Sequence, residues 1–417
     1  MPIRPAMFGA AFAAAGAIAL AAVLASPVAA VPLGQDARGP AAAAPPDPCT
    51  ARFSPPIQRK LQHIVTMLRR AYDVPGVELG VNVPGAGCWA TASGFADVTD
   101  NRPLTLGSEF PVASITKTFT ATVILQLVQA GRLSLSDAVA RWFPYVQNAG
   151  TITVRDLLDM TSGIYDEPDS AFEQRLEASP HTAVTPEQLI RAAVAHGPAG
   201  PPGTVSYSNT NYYMLGLIAQ DVTGQTIQRL ITDRLLRPLR LTGTVLPDGT
   251  AQLPASLVHG YQVAAGRATD VTSQYRLFGP ELGGAAGGMV STLGDLELWA
   301  YALGTGELLS PPVQRERLSF PAGPAVPFAP LPGTGVPAIL PGRYGLGIGS
   351  FGGLLGHNGG TTGYQADMFY LPARNATIVL LINGTPTGAG GRVGGGTLSD
   401  AAAVSVAETV LGDSLPA

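Results

Sequence analysis

The sequence predicts an α/β (α+β) fold: an antiparallel sheet built from both ends of the chain and flanked by helices, with a mostly helical region inserted between. Three observations predict it. Strand-like segments occur early, at residues 77–83 and 88–95, and return only late, at 363–371 and 377–383. Between about residues 133 and 238 the periodicity is mostly helical. With 417 residues, 46% of them hydrophobic and 13% charged, the chain can fill a large core and more than one domain-sized unit.

Residues 1–30 have the pattern of an export signal peptide. Arg4 is the only charged side chain, residues 10–24 are apolar and alanine-rich, and Val28-Ala29-Ala30 offers a small-residue cleavage site. The apolar run is long for a signal, so an uncleaved membrane anchor is the alternative to cleavage after Ala30. Export would place the folded part in the periplasm, in the cell wall or outside the cell. In such a compartment the two cysteines of the chain, Cys49 and Cys88, are expected to pair as one disulfide; two buried thiols are the alternative. Residues 31–50, rich in Ala, Pro and Gly, read as a flexible leader.

Residues 58–70 read as the first helix. Residues 77–83 and 88–95 form a hairpin around Pro84-Gly85-Ala86-Gly87. From Ser114 to Gly131, Ile115, Phe119, Val123, Ile124, Leu127 and Val128 recur at helical spacing, and Gly131 is placed to end the helix. Further helices are expected over 153–160, 186–195, 209–222, 226–236 and 400–411. The sheet domain is assigned to residues 51–132 and 270–417, and the helical insertion to 133–269. Residues 320–342 are rich in Pro and Gly and read as a long loop. Leu331-Pro332-Gly333-Thr334-Gly335 within it mimics a cell-wall sorting motif, but it is internal and no apolar tail with basic residues follows. Gly345-Leu346-Gly347-Ile348-Gly349 is followed by no helix signal, so its glycines are assigned to strand or turn rather than to a phosphate loop.

The net charge of −4, without a basic patch, argues against nucleic-acid binding. The five histidines and two cysteines show no metal-ligand spacing, and no cofactor is expected. A membrane partner is expected only if the N-terminal segment stays uncleaved.

The chemistry begins with a rarity. The chain has two lysines against 23 arginines, and one of the two stands in Ser114-Ile115-Thr116-Lys117. Arginine stays protonated in proteins, whereas a buried lysine can give up its proton and act as a base. Residues three apart on a helix share a face, so Lys117 would stand beside the Ser114 hydroxyl. The alternative makes Ser114 a helix cap and Lys117 a surface charge.

Two further patterns bear on that choice. Tyr207-Ser208-Asn209 precedes a helical stretch. A phenol can shuttle a proton and an amide can hold a lysine or a substrate carbonyl, although Asn209 could equally be a cap and Tyr207 a core aromatic. His357-Asn358-Gly359-Gly360 lies among glycines that would let backbone approach a ligand closely. A backbone N–H there and that of Ser114 could form an oxyanion hole.

Taken in order, Ser-x-x-Lys, Tyr-x-Asn and His-x-Gly resemble the three motifs of the serine penicillin-recognising family, within its class C β-lactamase, D-alanyl-D-alanine carboxypeptidase and esterase branch. The resemblance covers about residues 58–411. Supporting stretches are Val154-Arg155-Asp156-Leu157-Leu158 with Thr161-Ser162-Gly163, then Gly287-Gly288-Met289-Val290-Ser291-Thr292, and Tyr344-Gly345-Leu346-Gly347. It implies a β-lactamase/transpeptidase-like fold and an acyl-enzyme on Ser114. Lys117 would be its proton partner and Tyr207 general base and then acid. Asn209, His357, Gly359, Gly360 and Thr361 would bind substrate, with the Gly360 N–H in the oxyanion hole. The substrate would be a small molecule or a peptidoglycan peptide. Histidine at position 357, where β-lactamases often carry lysine, points toward a carboxypeptidase-like or esterase-like enzyme. A β-lactamase is the alternative, and so is a non-catalytic cell-wall binding module, because Asn358 stands where Thr or Ser is usual. A Ser-His-Asp hydrolase is disfavoured by the absence of a Gly-x-Ser-x-Gly elbow.

Overall fold

Why the early and late strands belong together is visible in their register. The computed structural model describes residues 51–168, 184–249, 253–264, 266–321, 326–328, 340–386, 392–393 and 396–411. Strand β1 (Gly76–Val83) turns into β2 (Gly87–Asp97), and β1 also pairs antiparallel with β13 (Ala376–Ile382), Val77 opposite Ile382. Next to β13 lie β12 (Tyr364–Leu371) and β11 (Leu354–Thr361), then β10 (Gly349–Phe351), β9 (Leu340–Tyr344) and β8 (Val326–Phe328). With β3 (Arg102–Pro103) on the outer side of β2, nine antiparallel strands among the described residues form one sheet, and β5 (Tyr261–Ala264) and β6 (Arg267–Asp270) belong to a smaller one. The period of two then sorts side chains by face. Ile378, Leu380 and Ile382 enter one core beneath helices α1 (Pro55–Ala71) and α9 (Leu398–Leu411), while Val379 and Leu381 enter the other.

That second core is the larger. It joins the sheet to α2 (Thr116–Gln129), α3 (Val154–Leu158), α4 (Pro186–His196), α5 (Asn209–Thr223), α6 (Ile227–Ile231), α7 (Thr272–Gly287) and α8 (Leu293–Thr305). Phe119 of α2 stacks on Trp299 of α8 at 3.9 Å between ring centroids. The capped starts behave as their residues dictate: Thr153 and Asp156 form a capping box at α3, and Thr185 and Gln188 form another at α4.

One sequence expectation needs correction, and one alternative is decided. The helix expected from Ser114 begins two residues later. Ala113–Ile115 is a 3-10 turn, and Ser114 makes no cap. Asn209 is the first residue of α5, and Ser208 rather than Asn209 is its N-cap. Helices α7 and α8 were not anticipated. The first is rich in glycine, contains Pro280 and is kinked at Gly284, so its propensity is poor. The second carries readable signals in the Thr292 cap, which accepts from Asp295 N–H, and in Gly306 at its end. Of the Pro/Gly-rich stretch, β8 and β9 are paired strands, whereas residues 331–335 lie outside the described residues. Residues 1–50, with the expected signal, leader and Cys49, also lie outside them. Cys88 is disulfide-bonded.

Candidate active site

A short two-stranded pair fixes the approach to Ser114. Strand β4 (Phe110–Pro111) pairs with β7 (Val290–Ser291), and Val112 N–H donates to the Met289 carbonyl at 3.0 Å. Ala113 then takes φ +44°, a left-handed conformation that costs a non-glycine residue about 1–3 kcal/mol. Its surroundings hold it there: Met289 N–H donates in turn to Thr116 Oγ1 at 3.0 Å. The turn ends with Ser114 facing Lys117 across the first turn of α2.

Lys117 is fully buried. Its amine lies 3.0 Å from Ser114 Oγ, 2.6 Å from Asn209 Oδ1 and 2.8 Å from the Ala286 carbonyl. The Ala286 oxygen is free to accept because the last turn of a helix leaves its carbonyls without intrahelical partners. Burial pushes Lys117 down to about 7, and Asp166 opposes that shift. Two of the three neighbours, an amide oxygen and a peptide carbonyl, can only accept. A neutral amine has two N–H groups and one lone pair. It can serve both acceptors and still turn its lone pair to the Ser114 hydroxyl.

Tyr207 donates its hydroxyl to Ser114 Oγ at 2.7 Å. The residue is 41% exposed, so this hydrogen bond faces the open side of the site. Burial raises the phenol above its ordinary value, the hydrogen bond to Ser114 opposes the shift, and Asp166 and Tyr212 add to it. Tyr207 therefore keeps its proton at rest, and Lys117 is the group in the site closest to losing one.

The third motif lies on β11. Its approach to Ser114 depends on glycine: a Cβ at Gly359 would lie 2.2 Å from the Val112 carbonyl and 3.1 Å from Ser114 N. Gly360 and Thr361 line a cleft of about 190 Å³ together with Ser114, Asn209, Tyr213 and Tyr275. His357 is not among its lining residues. It is 3% exposed, its Nδ1 is bonded to the Asn358 carbonyl, and its Nε2 lies 3.0 Å from the Tyr344 hydroxyl. A carbonyl only accepts, so Nδ1 carries the hydrogen and Nε2 receives the Tyr344 proton. Burial, then the positive Lys117, lowers His357 to about 3. The Tyr344 ring meets that of Tyr207 edge-on at 6.3 Å and the His357 ring lies 6.4 Å from the Tyr207 ring, so His357 stands behind Tyr207 rather than against the serine. Asn358 turns elsewhere, donating to Asp400 Oδ1 at 2.8 Å. No helix among the described residues is long and apolar enough to cross a membrane, and no group of three or more His, Cys, Asp or Glu among them is arranged to hold a metal ion.

The family profile described as Beta-lactamase matches residues 57–403. This chain belongs to the beta-lactamase family. Solved structures of that fold agree. D-amino acid amidase from Ochrobactrum anthropi SV3, complexed with D-phenylalanine, superposes with a TM-score of 0.69 at 26% identity, covering 85% of this chain and 99% of that one. A D-stereospecific amidohydrolase from Streptomyces sp. superposes with a TM-score of 0.64 at 29% identity, covering 78% and 94%. Among curated sequences, Protein flp of Staphylococcus aureus (strain COL) is 32% identical over 194 residues, 45% of this chain and 38% of that protein. The putative penicillin-binding protein PbpX of Bacillus subtilis (strain 168) is 34% identical over 152 residues, 36% of each chain. The matched region thus spans well under two thirds of these curated relatives. By family and fold this chain stands with the β-lactamase/transpeptidase-like proteins, and the two structural neighbours above are named as amide hydrolases.

Sequence reasoning missed three participants: Tyr344, the Ala286 carbonyl and Asp166. Tyr344 stood in a stretch singled out only as supporting. The Ala286 oxygen leaves no trace in residue type. Asp166 contacts Asn209 across 43 residues of chain, and nothing local marks it.

Proposed function

We propose that the protein hydrolyses D-configured peptide-type amides, and related esters, through an acyl-enzyme on Ser114. The observation that carries this reading is the placement of Ser114 Oγ between the Lys117 amine and the Tyr207 hydroxyl. Lys117 takes the serine proton while Oγ bonds to the substrate carbonyl carbon. The carbonyl oxygen becomes an oxyanion facing the Ser114 and Gly360 N–H groups. Tyr207 gives its proton to the departing amine or alkoxide and recovers one from Lys117. Water then repeats the sequence against the ester, returning Ser114 and releasing the acid. The D-amide preference is supported by the names of the two amidases above and by their near-complete coverage. A D-alanyl-D-alanine carboxypeptidase-like activity falls in the same class. We also propose export, on the apolar residues 10–24 and the Ala30 cleavage site; a secreted protein that still begins at Met1 would count against cleavage.

The test is intact-protein mass spectrometry after incubation with a penicillin and with a p-nitrophenyl ester, wild type against Ser114→Ala. One covalent adduct, lost in the variant, is expected. An adduct that persists in Ser114→Ala would remove Ser114 from the role. Turnover of a D-amino acid amide, a D-Ala-D-Ala peptide and nitrocefin then ranks the substrates. Fast nitrocefin hydrolysis without amide or peptide turnover would favour a β-lactamase instead.

A further inference from the structure

Asp166 lies outside all three motifs, in the loop that follows α3, yet the start of α5 is built on it. Asn209 is the first residue of α5, and its backbone N–H donates to Asp166 Oδ1 at 2.7 Å. That N–H has no intrahelical acceptor, and the N-cap Ser208 makes no side-chain cap, so Asp166 supplies the missing acceptor. A negative charge is favoured at that helix end. The loop is pinned from both sides of Asp166. The Tyr165 carbonyl accepts from Ser208 Oγ at 3.1 Å and from Thr210 Oγ1 at 2.7 Å, and Glu167 N–H donates to Thr210 Oγ1 at 3.1 Å.

The same residue also touches the buried amine. Asn209 Oδ1 lies 2.6 Å from the Lys117 amine. The helix start that Asp166 caps through the Asn209 N–H is therefore the one that presents the amide oxygen to Lys117.

We propose that Asp166 is a positioning residue that holds Asn209 at the start of α5 with its amide oxygen on Lys117, and that it serves as the counter-charge of that buried amine. The arrangement is a relay of three: a carboxylate holds the backbone of Asn209, and the side chain of Asn209 holds the base. Other groups face the Lys117 amine as well. Tyr207 and Tyr212 place their rings 4.8 and 5.6 Å from it, Ser114 and the Ala286 carbonyl bond it, and neutral His357 lies behind Tyr207. Among these, Asp166 is the group that acts to keep the amine protonated; burial raises its own carboxyl above the ordinary value, and the Asn209 N–H and Lys117 oppose that shift. The base role of Lys117 comes from the proposed function; the clamp on Asn209 does not depend on it.

The scarcity of lysine makes the test direct. With only Lys60 and Lys117 in the chain, selective [15N]lysine labelling gives two side-chain signals, and exposed Lys60 on α1 is the internal reference, assigned with Lys60→Arg. In Asp166→Asn the Lys117 titration should move down by roughly one pH unit, and in Asp166→Glu most of that shift should be restored. The acid limb of serine acylation should move with it. An unchanged Lys117 titration in folded Asp166→Asn would overturn the inference, as would an equal shift in Asp166→Glu. Because the signal needs no turnover, it separates the two readings. A shift without any Ser114 adduct keeps the clamp and rejects the hydrolase reading; an adduct without a shift does the reverse.

Discussion

Tyr344 donates its hydroxyl to His357 Nε2 at 3.0 Å, and His357 Nδ1 is already bonded to the Asn358 carbonyl. Both ring nitrogens are thus occupied before any substrate arrives. The third-motif histidine holds Tyr344, and Tyr344 borders Tyr207. The expected consequence is that His357→Gln lowers the acylation rate about tenfold to a hundredfold by displacing Tyr207, without moving any pH limb between 5 and 8. A limb that disappears with the histidine would show that it titrates during the reaction. Stability carries the complementary sign. The folded pKa, about 3, lies below the unfolded value. The neutral imidazole therefore contributes stability above pH ~6.5 that is lost as pH falls toward 3, and His357→Gln should flatten that acid slope in denaturant titrations.

Lys117→Arg keeps the charge and removes the capacity to lose it. Acylation of Ser114 should fall roughly 10³-fold, measured as the single-turnover rate of adduct formation. A variant that acylates at near wild-type rate would transfer the base role to Tyr207.

Gly359→Ala asks whether β11 must touch the serine turn. Its methyl would meet the Val112 carbonyl at 2.2 Å, backbone against backbone, so the strand or the turn must move. A loss of ~1–3 kcal/mol in stability is expected, together with a fall in kcat larger than any rise in KM. Wild-type kinetics in this variant would show that the oxyanion strand has slack.

Glu78 on β1 is fully buried, and burial raises it to about 8, with Ser108 opposing the shift. Two residues along, a Cβ at Gly80 would lie 2.4 Å from Glu297 Oε1, and burial raises that acid to about 7. Both folded pKa values exceed the unfolded ones. The stability they contribute is fully present below about pH 4.5 and is lost as pH rises through 7 and 8. Glu78→Gln should remove part of this slope, a difference on the order of a few kcal/mol at pH 9, read by chemical denaturation across pH. An unchanged slope would place the proton elsewhere.

The hairpin, the first helix, β12, β13 and the closing helix were legible because alternation and Gly/Pro punctuation act locally. Ser114, Lys117, Tyr207 and Asn209 were legible because their spacing is short and their chemistry narrow. The 3-10 turn under Ser114 was not, since Ala113 is held at positive φ by β4, β7 and Met289 rather than by its own preference. Helix α7 was hidden by its glycines and Pro280, which tertiary packing overrides. His357 was expected to touch substrate; its burial behind Tyr344 follows from which face of β11 it occupies, a matter of register that residue types do not state.

The pairing of Val77 with Ile382 bears on how the chain is made. Synthesis delivers the β1–β2 hairpin early, but the neighbour that covers its open edge arrives only after the helices between have been completed. Until then β1 presents unpaired backbone to any passing strand. Closure of so distant a contact is slow, and the nascent protein depends on whatever keeps that edge from pairing with another copy of itself. A premature stop before β13 would leave a product with that edge permanently open, inclined to aggregate and lacking the strand that joins β1 to β12.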